Sequence, residues 1–210
     1  LESLSPELRH LILVPQLIEI TKSGRRSPVH RPVPMDTIGL KRFDKKGNVI
    51  GEARIVGLFT SNAYYQSAEA IPLLRRKIAR VLERSAFDPT SHDGKALKAI
   101  LEFLPRDEVF QMAEDELLET GMGILALEAK PAVRMFVRND AFERFVSAMV
   151  FVPRERFSTD LRHQIQELME KAFDGTTSSF ATQIDEAPLA RLHLIIKTTQ
   201  GHIPSVNIAT

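Results

Sequence analysis

The stretch Phe145-Val146-Ser147-Ala148-Met149-Val150-Phe151-Val152 decides the fold of the second half of the chain. It is too short for a typical buried helix and too continuously apolar for a strand with one wet face, so it reads as a long buried strand. Just before it, Val133, Met135 and Val137 recur with period two and fall on one face of a first strand. Just after it, Ser158-Thr159-Asp160 caps a helix on which Leu161, Ile165, Leu168, Met169, Ala172 and Phe173 return at helical spacing, and Asp174-Gly175 ends it. Ser179 to Ile184 and Leu189 to Lys197 supply two more strands. Strand, strand, helix, strand, strand predicts a four-stranded antiparallel sheet backed by helix, an α+β unit.

Upstream of Pro131 the period changes, and a domain boundary is placed there. The middle region is helical. Ser67 is the candidate N-cap for a helix whose first turn takes Pro72 and whose apolar stripe is Leu74, Ile78, Val81 and Leu82. A second helix is expected from about Gly94 to Leu104, stopped by Pro105, and a third from about Ala113 to Glu128. Residues 1–60 read mostly as extended chain. Ile18, Ile20 and Lys22 start an alternation that Gly24-Arg25-Arg26 breaks, and Val29, Arg31 and Val33 follow among Pro28, Pro32 and Pro34, a spacing that belongs at a sheet edge. Ile38, Leu40 and Arg42 lead into the loop Asp44-Lys45-Lys46-Gly47-Asn48, and Val49-Ile50 through Phe59 return, a hairpin in which Gly47 can take positive φ.

The 210 residues therefore divide into 1–130, a sheet with a helical segment; 131–200, the ββαββ unit; and 201–210, a linker. Hydrophobic residues at 43% allow two small cores. Lys plus Arg number 28 against 27 for Asp plus Glu, a balance that gives no field to gather nucleic acid or an anionic membrane. With no cysteine there is neither a disulfide framework nor thiolate chemistry, and no leader is expected at Leu1-Glu2-Ser3-Leu4, which reads as an interior boundary of a longer chain. The cytoplasm is the expected compartment.

Several strings imitate functional motifs. Gly121-Met122-Gly123-Ile124-Leu125-Ala126 fits the dinucleotide pattern, with Asp140 near the ribose-binding position, but Glu116-Leu117-Leu118-Glu119-Thr120 before it is helical and Pro131 follows too soon for a crossover helix. Helix packing is the expected role of its glycines. Asp93-Gly94-Lys95-Ala96 lacks the upstream glycine and the Ser/Thr of a phosphate loop and reads as a helix start. Histidines 10, 30, 92, 163, 193 and 202 never repeat at ligand spacing. Arg75, Arg76, Lys77, Arg80 and Arg84 make a basic helix face, and Arg25, Arg26, His30 and Arg31 a second patch, both expected to be solvated and paired with nearby acids. Phe136, Phe145 and Phe151 lie in apolar strands, which disfavours an exposed base-stacking sheet. No catalytic, cofactor-binding or metal-ligating residue is assigned to the chain.

Two strings carry a resemblance. Val29-His30-Arg31-Pro32-Val33-Pro34-Met35-Asp36-Thr37-Ile38-Gly39-Leu40-Lys41-Arg42-Phe43-Asp44 and Gly57-Leu58-Phe59-Thr60-Ser61 resemble the N-terminal regulatory part of the large bacterial NAD-specific glutamate dehydrogenases. Ile71-Pro72-Leu73-Leu74-Arg75-Arg76-Lys77, Ser91-His92-Asp93-Gly94-Lys95-Ala96-Leu97, Phe142-Glu143-Arg144-Phe145-Val146-Ser147 and Ala187-Pro188-Leu189-Ala190-Arg191-Leu192-His193 are similar to the same family, in order, across about residues 16–200. The resemblance implies a PAS- or GAF-like sheet with trailing helices, then an ACT-like (ferredoxin-like) domain, in a noncatalytic regulatory and oligomerisation segment. It implies NAD as cofactor of the parent enzyme, the catalytic domain of the same polypeptide as partner, a homo-oligomer and an amino-acid effector, with neither nucleic acid nor membrane. The first helix of the common ACT arrangement is missing, because Arg138 to Arg144 is too short for one. A free-standing amino-acid sensor built from the same domains is the alternative.

Overall fold

The computed structural model describes residues 13–29, 32–199 and 202–206. The expectations for His10, His30, Arg31, the first four residues and half of the 201–210 linker lie outside the described residues. The chain forms two compact units that divide between Met122 and Gly123.

In the first unit, β1 (Ile18–Arg26), β2 (Pro34–Phe43) and β3 (Val49–Gly57) form an antiparallel sheet in the order β1-β2-β3. Gly24-Arg25-Arg26 breaks the regular pairing of β1, whose register shifts between Lys22 and Arg26, while the strand itself runs to Arg26. The β2–β3 turn forms where the loop residues predict it. Gly47 takes φ 84, and the Asp44 carboxylate accepts from the backbone N–H groups of Lys46 and Asn48. Five helices follow: α1 (Ser61–Tyr65), α2 (Pro72–Arg84), α3 (His92–Phe103), α4 (Arg106–Gln111) and α5 (Glu114–Ala129).

Local chemistry sets their ends. Ser67 caps the short 3-10 turn Ala68–Ala70 rather than α2, which starts at Pro72 with no side-chain cap. Ser91 caps α3 by accepting from the Gly94 N–H at 3.0 Å, so the helix starts at His92, two residues before Gly94. Gly94 is required there, since a Cβ would lie 2.2 Å from the Asp88 carbonyl oxygen. Leu74, Ile78 and Val81 of α2 and Leu97 and Leu101 of α3 are buried at helical spacing and form the apolar centre of the unit.

The second unit holds β4 (Arg134–Asn139), β5 (Phe145–Pro153), α6 (Thr159–Ala172), β6 (Thr176–Gln183) and β7 (Leu189–Lys197). All its strand pairs are antiparallel, in the order β4-β5-β7-β6. The ββαββ order and the long strand at Phe145 read from the sequence are both present, and the chain is α+β with one sheet in each unit. Val146, Ala148, Val150 and Val152 of β5 and Leu192, Leu194 and Ile196 of β7 meet Met169 and Phe173 of α6 in one buried cluster. Met135 and Val137 pack against it, whereas Val133 precedes β4 and is exposed. Leu168, placed on the buried stripe by spacing, is 67% exposed. Asp174, not Gly175, takes the left-handed φ of 46 after α6. Gly175 answers a different need: a Cβ there would stand 2.6 Å from the Lys197 carbonyl oxygen.

Candidate functional site

Each motif-like string has a structural job. Gly121 and Gly123 lie inside α5, so the dinucleotide-like string has no strand and no turn. A Cβ on Gly121 would come 2.9 Å from Leu97 of α3, the helix packing expected of it. Gly123 departs from that expectation, because its neighbour at 2.6 Å is the Phe136 ring of β4. Asp140 organises the β4–β5 turn: its carboxylate receives both Nε (2.6 Å) and Nη2 (2.9 Å) of Arg144 and the backbone N–H of Phe142.

The basic face of α2 splits into two chemistries. Arg80 pairs with Glu114 at 2.9 Å and Arg84 with Asp115, both at the surface. Lys77 does not belong to that solvated face. Its ammonium donates to the carbonyls of Val109, Phe110 and Met112 at 2.8–2.9 Å, so it closes the C-terminal end of α4. Arg25 and Arg26 are exposed, and Arg26 donates to the Pro32 carbonyl.

Among the described histidines, His92 is exposed beside Asp93, His163 lies against Arg162, and His193 is 2.9 Å from the Ser147 hydroxyl. No group of three or more His, Cys, Asp or Glu that could hold a metal occurs among the described residues. Register puts Phe136 and Phe151 on the sheet face away from α6, edge to face at 5.7 Å. Phe151 is 7% exposed and Phe136 lies under Gly123, so neither presents a free ring to a base. Among the described residues, no helix is long and apolar enough to cross a membrane.

One concave feature is not implied by any string in the sequence. A cleft of about 400 Å³ opens where α6 ends and β6 and β7 meet, lined by Glu170, Asp174, Gly175, Thr176, Lys197, Thr198 and Thr199. Three consecutive residues at the end of β7 supply an ammonium and two hydroxyls, and the α6 terminus supplies two carboxylates. The backbone N–H of Thr177 at 2.8 Å and the Gln166 side-chain amide at 3.2 Å donate to Glu170 and hold its carboxyl below the ordinary range, so it stays ionised at neutral pH. Thr198 is 7% exposed, and its Oγ1 is buried with no hydrogen-bond partner. Both charge signs within one small cleft suit a zwitterion better than a simple anion. The cleft escapes sequence reasoning because its residues come from the ends of three elements; the Thr198-Thr199 pair just past β7 is the one local hint.

What the fold defines is an ACT-type sheet-and-helix module preceded by a helical segment. Residues 134–210 match the family model for the glutamate dehydrogenase ACT2 domain, and residues 71–130 match glutamate dehydrogenase helical motif 1. The NAD-specific glutamate dehydrogenase of Halomonas elongata is 43% identical over 188 residues, 90% of this chain and 12% of that protein. Those of Pseudomonas aeruginosa (39% over 183 residues, 87% and 11%) and Mycobacterium tuberculosis (31% over 163 residues, 78% and 10%) are also similar. Two domains of the glutamate dehydrogenase family thus lie in this chain, and it corresponds to part of the N-terminal region of the large NAD-specific enzymes. It spans about a tenth of the length of these relatives.

Proposed function

We propose that the chain is a noncatalytic regulatory and assembly segment of a large NAD-dependent glutamate dehydrogenase. The parent would convert L-glutamate, NAD and water into 2-oxoglutarate, ammonium and NADH. The observation that carries the reading is the 43% identity across 90% of the chain to an NAD-specific glutamate dehydrogenase, with the ACT2 match over residues 134–210. On this reading NAD binds the parent's catalytic domain, the chain's partners are that domain and further copies of itself, and the compartment is the cytoplasm. The three-stranded sheet with its trailing helices supports a PAS- or GAF-like module for the first domain of 1–130, ahead of an ACT-like domain at 131–200 and a linker at 201–210.

The chain alone, given glutamate and NAD, should form no NADH above the uncatalysed background. Turnover would overturn the reading. The cleft beside Glu170 and Lys197 favours an amino-acid effector, and it is also the observation behind the alternative of a free-standing sensor. Thermal unfolding across a panel of amino acids, 2-oxoglutarate, NAD and nucleotides tests for it, since a native-state ligand at a hundred times its Kd stabilises by about 2.7 kcal/mol. A shift with an amino acid that is lost in Lys197→Met supports the effector; a flat panel removes it and leaves assembly.

A further inference from the structure

The two sheets leave four edge strands, and three of them are interrupted, short or polar. The register of β1 shifts between Lys22 and Arg26, and that of β6 shifts between Thr177 and Ser179. β6 is also built almost wholly of Thr, Ser, Ala and Gln, and the six-residue β4 carries Arg134 and Arg138. Bulges, polarity and short length are the ordinary means by which proteins keep sheet edges from pairing. β3 bulges at Ile50, since Val49 and Gly51 pair with the adjacent Phe43 and Arg42, but from Gly51 to Gly57 its register on β2 is unbroken, and its two charges, Glu52 and Arg54, are of opposite sign. Among the described residues no strand pairs with its outer side. Ile50, Ile55 and Val56 are 62%, 58% and 49% exposed.

We propose that β3 is a homotypic docking edge that pairs antiparallel with β3 of a second copy of this chain, with Ala53 on the two-fold axis. The argument is the strand's own self-complementarity. Its sequence is Val49-Ile50-Gly51-Glu52-Ala53-Arg54-Ile55-Val56-Gly57. Antiparallel pairing about Ala53 sets Glu52 opposite Arg54 of the second copy, twice by symmetry. Glu52 and Arg54 share one sheet face, so each copy offers both halves of a charge pair. On the other face Gly51 meets Ile55 and Ala53 meets Ala53, small against large and small against small. A slip of one residue in the pairing would set like types out of step and move every contact to the opposite face.

The charges are also positioned for exchange. Glu52 is held by Lys41 at 2.5 Å and lies over Gly39, where a Cβ would be 2.9 Å from its carboxyl carbon, so its place is fixed. Arg54 is half exposed and folds back on Glu52 of its own strand at 2.8 Å. In the paired edge it reaches the equivalent Glu52 across the axis instead, with no unpaired charge left behind. The inference deepens the assembly part of the proposed function and rests on it.

The chain contains no cysteine, so one engineered thiol reports the contact directly. Directly opposed residues in an antiparallel pair have Cα atoms about 4.5–5.5 Å apart, within disulfide reach. Ala53→Cys should therefore cross-link to a covalent dimer under mild oxidation, while Ser179→Cys on the β6 edge should not. Sedimentation of the cysteine-free chain should show a reversible dimer, weakened by about tenfold in Arg54→Glu, which sets carboxylate against carboxylate. Circular dichroism and a cooperative unfolding transition establish that Arg54→Glu still folds. A chain that dimerises while Ala53→Cys cross-links no better than Ser179→Cys overturns the β3 edge and spares the assembly reading. A chain that stays monomeric at tens of micromolar overturns both.

Discussion

In the four-stranded sheet the buried positions facing α6 are filled by hydrocarbon, whereas in the three-stranded sheet the most buried side chains of β2 carry charge. Leu192, Leu194 and Ile196 are fully buried against Met169 and Phe173. Lys41, with its side chain 1% exposed, lies between Glu52 at 2.5 Å and Glu19 at 3.3 Å. Asp36 accepts from Lys22 at 2.5 Å and from the Phe59 N–H at 3.0 Å, and Lys22 also reaches Asp107. The four-stranded sheet depends on packed volume, which is indifferent to pH, and the three-stranded sheet on partners that must all be present and ionised.

That contrast can be broken most forcefully from the apolar side. Leu194→Ala should lower the stability of the second unit by about 3 kcal/mol, through lost burial and an uncollapsed cavity, and move only its part of a denaturant unfolding curve. Next comes Lys41→Ala, which strands two partly buried carboxylates and should cost the first unit about 2 kcal/mol. The double variant Lys41→Met, Glu52→Met should recover much of that loss, because the more buried carboxylate is removed with its cation and the groups left over, Glu19 and Arg54, are more exposed. A double variant no better than the single would show that shape rather than charge holds β2 and β3 together.

Gly175→Ala probes close approach in the second unit and should cost about 1 kcal/mol in chemical denaturation, since the added Cβ meets backbone at 2.6 Å rather than a yielding side chain. The smallest effect is expected from pH. Partial burial pushes the Glu52 carboxyl up, but hydrogen bonds and attraction from Lys41 and Arg54 outweigh this and hold it below the ordinary range. A lowered folded value means its contribution is complete above the unfolded value of about 4.3 and fades as the pH falls below it. Acid titration of the first unit from pH 6 to 3 should therefore be shallower in Glu52→Gln than in the parent chain. Equal slopes would assign the acid dependence elsewhere.

The same contrast explains what the sequence made legible. Apolar periodicity reports burial directly, so β5, α6 and β7 are readable residue by residue. The 44–48 hairpin is readable because its turn chemistry is local. Lys77 is not, because a lysine inside a run with Arg75, Arg76 and Arg80 looks like its neighbours; only the fold brings carbonyls more than thirty residues away to its ammonium. Lys41 and Glu52 likewise sit in strands whose alternation marks them as outward-facing. Ser67 has the right chemistry for a cap but serves a 3-10 turn five residues before the helix begins. Of the candidate site, Asp174-Gly175 was visible as a helix stop, while its proximity to Lys197 and Thr198 depends on where β7 lies in the sheet.

That placement of β7 also has a temporal consequence. β5 and β6 are linked through α6 but do not touch as neighbours; the strand between them, β7, follows both in sequence. As the chain leaves the ribosome, β4 can pair with β5 and α6 can coil, yet β6 has no edge to join until residues 189–197 emerge. Until then the apolar sides of β5 and α6 stay uncovered, and a nascent chain paused before Leu189 should be the species most exposed to protease and chaperone.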